Sequence, residues 1–130
     1  MNKIKPCIIG LGYVGLPLFV SLKKKFQITG YDVSPDRVKE LKKHIDRNKE
    51  FKQKDLKLKK GCIITSNSFN IKNSNFYIVT VPTPIKKNNH PDLRHVKSAF
   101  SKIAAYIKQN DIIILESTVY PGTTLKICKN

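Results

Sequence analysis

Gly10-Leu11-Gly12-Tyr13-Val14-Gly15 follows the apolar run Cys7-Ile8-Ile9 and leads into Leu16-Pro17-Leu18-Phe19-Val20. A strand that turns on glycines into a helix has this pattern. In that geometry Gly10 permits the tight turn, Gly12 lets a ligand approach the backbone, and Gly15 lets the helix lie close to the strand. The free amides of the first helical turn, together with Tyr13 and Val14 beside them, then face the gap, and the helix dipole favours a negative charge there. A pyrophosphate has the required charge and shape.

A glycine turn between strand and helix also occurs as plain structure, so the motif needs its second part, an acidic residue about 20 residues further on at the end of a second strand. Asp32 closes the run Gln27-Ile28-Thr29-Gly30-Tyr31. A carboxylate there accepts hydrogen bonds from two ribose hydroxyls and repels a 2'-phosphate, which selects NAD over NADP. Arg37 qualifies the choice: its guanidinium suits a phosphate, the adenine face, or an ion pair with Asp32 or Asp36. NAD is the expected cofactor.

The rest of the chain fits one globular domain, residues 1–130, able to bury about two-thirds of its unfolded surface. Apolar residues make up 40% of it, and none of the runs approaches the roughly 20 residues that span a bilayer. The only apolar N-terminal segment is broken by the glycines, which does not suit a signal peptide, so a cytoplasmic protein that does not enter the membrane is expected. Cys7, Cys62 and Cys128 match neither a disulfide framework nor a zinc cluster, and His44, His90 and His95 add no metal spacing. No metal is expected. The formal charge of +16 invites a polyanion reading, yet only Arg37, Arg47 and Arg94 among the 25 basic residues are arginines. Base-edge and phosphate recognition favour the arginine fork, so the lysines read as solvated faces rather than a specific nucleic-acid surface.

Strands and helices alternate along the chain. Ile4 to Ile9 reads as a strand buried on both faces, and Tyr13 to about Lys25 as a helix with Lys23-Lys24-Lys25 in its last turn. Phe26 to Asp32 is a second strand. Ser34-Pro35 caps a helix whose buried stripe is Val38, Leu41 and Ile45. Residues 46–60 form a polar excursion with a short helix around Asp55 to Lys59. Cys62 to Thr65 is a short strand near a sheet edge, followed by a polar stretch from Ser66 to Ser74 with room for a helical turn. Asn75 to Val81 is the fourth strand, ended by Pro82-Thr83-Pro84. Ile85 to Pro91 reads as a mobile loop. Asp92 caps a helix to about Lys108 with Val96, Phe100, Ile103, Ala104 and Ile107 on one face. Asp111 to Leu115 is the fifth strand, and Gly122-Thr123-Thr124 opens a further helix. The order predicts an α/β fold with a doubly wound parallel sheet, a Rossmann-type dinucleotide-binding domain truncated after its fifth strand. That strand would be an apolar edge, prone to self-association.

Ligands of such sheets lie beyond the carboxyl ends of the strands, where strand order reverses. The candidate cofactor-binding residues at those ends are Gly10, Gly12, Tyr13, Val14, Gly15, Asp32, Val81, Thr83, Ser117 and Thr118, and the resemblance described below adds Arg37. Pro82-Thr83-Pro84 would wall the nicotinamide side, and Ser117 and Thr118 would add hydroxyls there. Caps for the following helices are the plainer use of these hydroxyls.

Gly10-Leu-Gly-Tyr-Val-Gly-Leu-Pro17, Gly30-Tyr-Asp-Val33 with Arg37-Val38, Val81-Pro-Thr-Pro84 with Pro91-Asp-Leu93, and Glu116-Ser-Thr-Val-Tyr-Pro-Gly-Thr-Thr124 together resemble the N-terminal domain of the nucleotide-sugar 6-dehydrogenases, the UDP-glucose/UDP-mannose dehydrogenase family. Glu116 ahead of Ser-Thr-Val-Tyr-Pro-Gly, and Asp46-Arg-Asn-Lys-Glu50, resemble the UDP-N-acetylhexosamine branch of the Vi polysaccharide type more than UDP-glucose 6-dehydrogenase. The resemblance implies oxidation of a sugar C6 hydroxyl to a carboxylate with two NAD, in polysaccharide biosynthesis, by a homo-oligomer. It maps Val14, Asp32, Arg37, Thr83 and Thr118 onto cofactor contacts and gives Thr118 a role in positioning water. The family's nucleophilic cysteine, partner lysine and UDP-sugar domain lie further along a chain about three times this length, and Cys128 does not replace that cysteine. On this resemblance the 130 residues alone, read as a fragment, are expected to be inactive. Other readings are another Rossmann dehydrogenase, or a non-catalytic basic module for nucleotides or polyanions.

Overall fold

The computed structural model describes residues 3–119 and 121–128, the last for its backbone only. Tyr120, which falls within one of the resemblance motifs, and the Cys128 side chain lie outside the described residues.

Five strands, β1 (Pro6–Ile9), β2 (Thr29–Tyr31), β3 (Ile63–Thr65), β4 (Phe76–Val79) and β5 (Ile112–Leu115), form one parallel sheet in the order β3-β2-β1-β4-β5. The chain builds outward from β1 to β3, then crosses to the other side of β1 for β4 and β5. Strand order reverses between β1 and β4, and there the carboxyl ends open a crevice. All four residues of β1 are buried, as a central parallel strand requires.

The helices divide between the two faces. On one, α1 (Gly15–Leu22) and α2 (Pro35–Lys42) pack Leu16, Phe19, Val20, Val38 and Leu41 against Ile8, Ile28, Ile64 and Ile78. On the other, α4 (Arg94–Ala104) and a 3₁₀ helix (Ser68–Asn73) pack Val96, Ala99, Phe100, Ile103 and Ile71 against Cys7, Ile9, Tyr31, Tyr77 and Val79. Alternate residues of β1 feed the two cores because successive side chains of a strand point to opposite faces. A short α3 (Gln53–Leu56) and a C-terminal α5 (Thr123–Cys128) complete the described elements.

Several expectations are corrected. Helix α2 stops at Lys42 and His44 takes a left-handed φ of 60°, so Ile45 turns outward and is 54% exposed instead of completing the buried stripe. Asp92 does not cap α4 directly: the N-cap is Leu93, and Asp92 Oδ1 accepts from Arg94 N at 3.0 Å. The inward face of α4 uses Ala99 where Ala104 was expected, and Ile107 lies beyond the helix and exposed. The segment 85–91 closes as a small hairpin, with Ile85 bridged to Pro91 and Lys86 N donating to His90 O at 2.8 Å. Lys23 is not a solvated last-turn cation. It is buried, and its Nζ donates to Lys57 O at 2.6 Å and to Asp55 O, joining α1 to the end of α3. Burial lowers its pKa below the ordinary lysine value. At the far edge β5 pairs only with β4 among the described residues, and Ile112 is half exposed.

Candidate functional site

The crevice is a cleft of about 790 Å³ lined by the glycine turn, by Tyr31 to Ser34 and Arg37, by Thr80 to Thr83, and by Glu116 to Thr118. Every candidate residue from the sequence lines it except Gly15, which lies directly beneath as the first residue of α1.

The turn is fixed from three directions. Gly10 has φ 99°, a conformation open to glycine, and its amide donates to Tyr31 O at 2.8 Å. A Cβ on Gly15 would stand 1.7 Å from Gly10 O and 2.5 Å from Thr80 Oγ1, so only hydrogen fits at that helix start. The Thr80 hydroxyl donates to Gly10 O at 2.8 Å, tying the end of β4 to the turn. Thr80 belongs to the strand-end residues at which ligands of such sheets bind, while its hydrogen bond to Gly10, 70 residues away, carries no sequence signal.

Gly12 is different. A Cβ there would meet nothing within 4 Å, so this position is empty on the protein side and open on the cleft side. The first hydrogen bond back into the turn runs from Leu16 N to Gly12 O at 3.1 Å, which leaves the amides ahead of it without helical acceptors. An open cradle with amides at a helix start suits a pyrophosphate.

Asp32 is already oriented: Oδ2 accepts from Leu11 N at 2.8 Å and Oδ1 from Ser34 N at 2.9 Å. Each oxygen keeps a second lone pair for a diol, since an ionised carboxylate offers about four acceptor sites. The acid therefore ties the glycine turn to the end of β2 as well as facing the cleft.

Arg37 corrects its alternatives. It pairs with neither Asp32 nor Asp36. Its Nε donates to Leu11 O at 2.9 Å and its Nη2 to Asp46 Oδ1 at 3.0 Å, with both side chains buried. Nη1, also buried, has no hydrogen-bond partner and stands 3.5 Å from Glu40 Oε2. Burial acts to raise the Asp46 pKa, but hydrogen bonds from Arg37 and from the amides of Asn48 and Glu50 outweigh it and hold the carboxyl below its ordinary 3.8. Asp46, read only as part of a branch motif, is thus the anchor of the 46–51 loop; a side chain that accepts from amides two and four residues on is a local turn signal that could have found it.

On the β4–β5 side the hydroxyl of Ser117 donates to Val81 O at 2.6 Å, so it links the two loops. Among the described residues the hydroxyls of Thr83 and Thr118 make no hydrogen bond. The cleft also gathers residues not expected from the sequence: Arg47 and Asn48 from the 46–51 loop, and His95, Ser98, Ala99 and Lys102 from one stripe of α4. Cys7 lies in the core, with burial pushing its thiol up to about 12, and it takes no part in the cleft. Among the described residues no group of His, Cys, Asp and Glu could hold a metal.

Residues 4–130 match the model of the UDP-glucose/GDP-mannose dehydrogenase family, NAD binding domain. The chain belongs to that family. NAD is the cofactor of this domain, and the fit is physical: an open cradle at Gly12, a preset carboxylate at Asp32 and a cleft of nucleotide size. The chain is 43% identical over 128 residues to UDP-N-acetyl-D-glucosamine 6-dehydrogenase of Salmonella typhi, covering 98% of this chain and 30% of that protein. It is 41% identical over 121 residues to Protein CapL of Staphylococcus aureus, covering 93% of this chain and 28% of that protein. Among solved structures, the UDP-D-ManNAc dehydrogenase of Pyrococcus horikoshii superposes with a TM-score of 0.89 at 28% identity, covering 97% of this chain and 31% of that one. The family member thus spans less than a third of the length of these relatives. Among the described residues no helix is long and apolar enough to cross a membrane.

Proposed function

We propose that these 130 residues hold NAD for the oxidation of the C6 hydroxyl of a UDP-N-acetylhexosamine to a carboxylate, with two NAD consumed, in polysaccharide biosynthesis in the cytoplasm. The observation that carries it is the Leu11–Asp32 hydrogen bond of 2.8 Å, which sets a ribose-binding carboxylate against an open pyrophosphate cradle. The similarity to UDP-N-acetyl-D-glucosamine 6-dehydrogenase supports the sugar class.

Gly10, Gly12, Tyr13, Val14 and Gly15 form the pyrophosphate turn, and Asp32 takes the ribose. Arg37, which lines the cleft as a cofactor contact, also holds Leu11 O and the 46–51 loop. Val81 and Thr83 wall the nicotinamide, which accepts a hydride when NAD is bound. Ser117 fixes the loop that presents Thr118, and Thr118 positions the hydrolytic water. The UDP-amino sugar and a second subunit belong to the longer enzyme.

The test is direct. The pure chain should bind NAD more tightly than NADP by calorimetry, and should give no steady rise in NADH absorbance with UDP-N-acetylglucosamine. Absence of NAD binding sinks the cofactor role; steady turnover sinks the assignment of the chemistry to residues outside this chain.

A further inference from the structure

The 46–51 loop holds an exposed arginine in one place, and the sequence gives no reason for it. Arg47 lines the cleft, with a side chain 50% exposed. Such side chains usually sample many rotamers. Here both ends are fixed. Its backbone belongs to the turn closed by Asp46, which accepts from Asn48 N at 3.2 Å and from Glu50 N at 2.9 Å. Its Nε donates to Glu40 Oε2 at 2.7 Å. That hydrogen bond holds the Glu40 carboxyl below its ordinary value, so the pair stays ionised at neutral pH. One edge of the guanidinium is occupied by Glu40, and the side chain lines the cleft.

The opposite wall is α4. Ala99 lines the cleft and belongs to the same buried cluster as Tyr31, which also lines it, so this wall stands beside the end of β2. Arg47 follows α2, on the other face of the sheet. The α4 residues that line the cleft are His95, Ser98, Ala99 and Lys102, so the flat stacking surface beside the ribose-facing Asp32 is the guanidinium plane of Arg47.

We propose that Arg47 is an adenine clamp: its guanidinium, set by Glu40, stacks on the adenine of the dinucleotide where the cleft is lined by both the 46–51 loop and α4. This rests on the NAD reading above and adds a residue to it. Glu40 is a positioning residue that acts through Arg47.

The test compares ADP-ribose with nicotinamide mononucleotide, binding measured by calorimetry on the full 130-residue chain. Arg47→Ala should weaken ADP-ribose about tenfold and leave nicotinamide mononucleotide unchanged. Arg47→Lys keeps the charge without the plane and should stay near the alanine value. Glu40→Gln should weaken ADP-ribose by a smaller factor. Circular dichroism on each variant should match the parent, since Arg47 lies on the surface. Unchanged ADP-ribose affinity in Arg47→Ala, or full rescue by lysine, would overturn the clamp while leaving NAD binding intact. Failure of the parent to bind ADP-ribose would overturn both readings.

Discussion

The two sides of the cleft are built differently. On the β2 side nearly every polar group has a protein partner: Asp32 holds Leu11 N and Ser34 N, Arg37 holds Leu11 O and Asp46, and Asp46 holds the following loop. On the β4–β5 side, among the described residues, one side-chain hydrogen bond, Ser117 Oγ to Val81 O, joins the loops, and the Thr83 and Thr118 hydroxyls make none. A region satisfied internally is shaped before any ligand arrives, so little ordering entropy is lost on binding. A region with free hydroxyls takes its final form from what is added to it. Under the proposed function, the adenosine half of NAD meets the satisfied side and the nicotinamide half meets the open one.

The largest effect should come from breaking the satisfied side. Arg37→Met leaves the Asp46 carboxylate buried and unpaired, which costs about 3–5 kcal/mol. Urea denaturation of the variant should show that loss; a change under about 1 kcal/mol would mean the two sides are equally loose. Next is the pivot between them. Gly15→Ala drives a methyl into Gly10 O and should cost about 3 kcal/mol. Gly12→Ala meets no protein atom, so it should leave the melting temperature nearly unchanged and still abolish NAD binding.

Acid should then separate the sides. The folded Asp46 carboxyl lies below its ordinary value, so its contribution is fully present above the unfolded pKa of 3.8 and is lost as pH falls through the folded one. The parent's stability should fall below about pH 4 more steeply than that of Asp46→Asn, whose baseline is already lower. Parallel pH curves for the two proteins would remove Asp46 from that role. Smallest is the open side: Thr83→Ala and Thr118→Ala should each change stability by no more than about 0.5 kcal/mol. A larger loss in thermal unfolding would show hidden structural work by those hydroxyls.

Much of this was legible from local pattern. The glycine turn, the alternation of strands and helices, the Ser34 cap and the acid closing β2 each depend on neighbours within a few residues, and the structure places them as expected. The misreadings have local causes of another kind. Ile45 continues a helical period that His44 ends by turning left-handed, and Ala104 is the exposed last residue of α4 whereas Ala99 lies within it beside Val96, Phe100 and Ile103.

What the sequence by itself determined is the parallel α/β order, the dinucleotide turn and the preference for NAD, because periodicity, glycine spacing and one acidic side chain are properties of short segments. What only the tertiary structure decided is who holds whom. Arg37 reaches Leu11, 26 residues away, Lys23 reaches Lys57 across 34, and Thr80 reaches Gly10 across 70. The partners of a long polar side chain are chosen by which segments the sheet brings side by side, and no spacing along the chain encodes that distance.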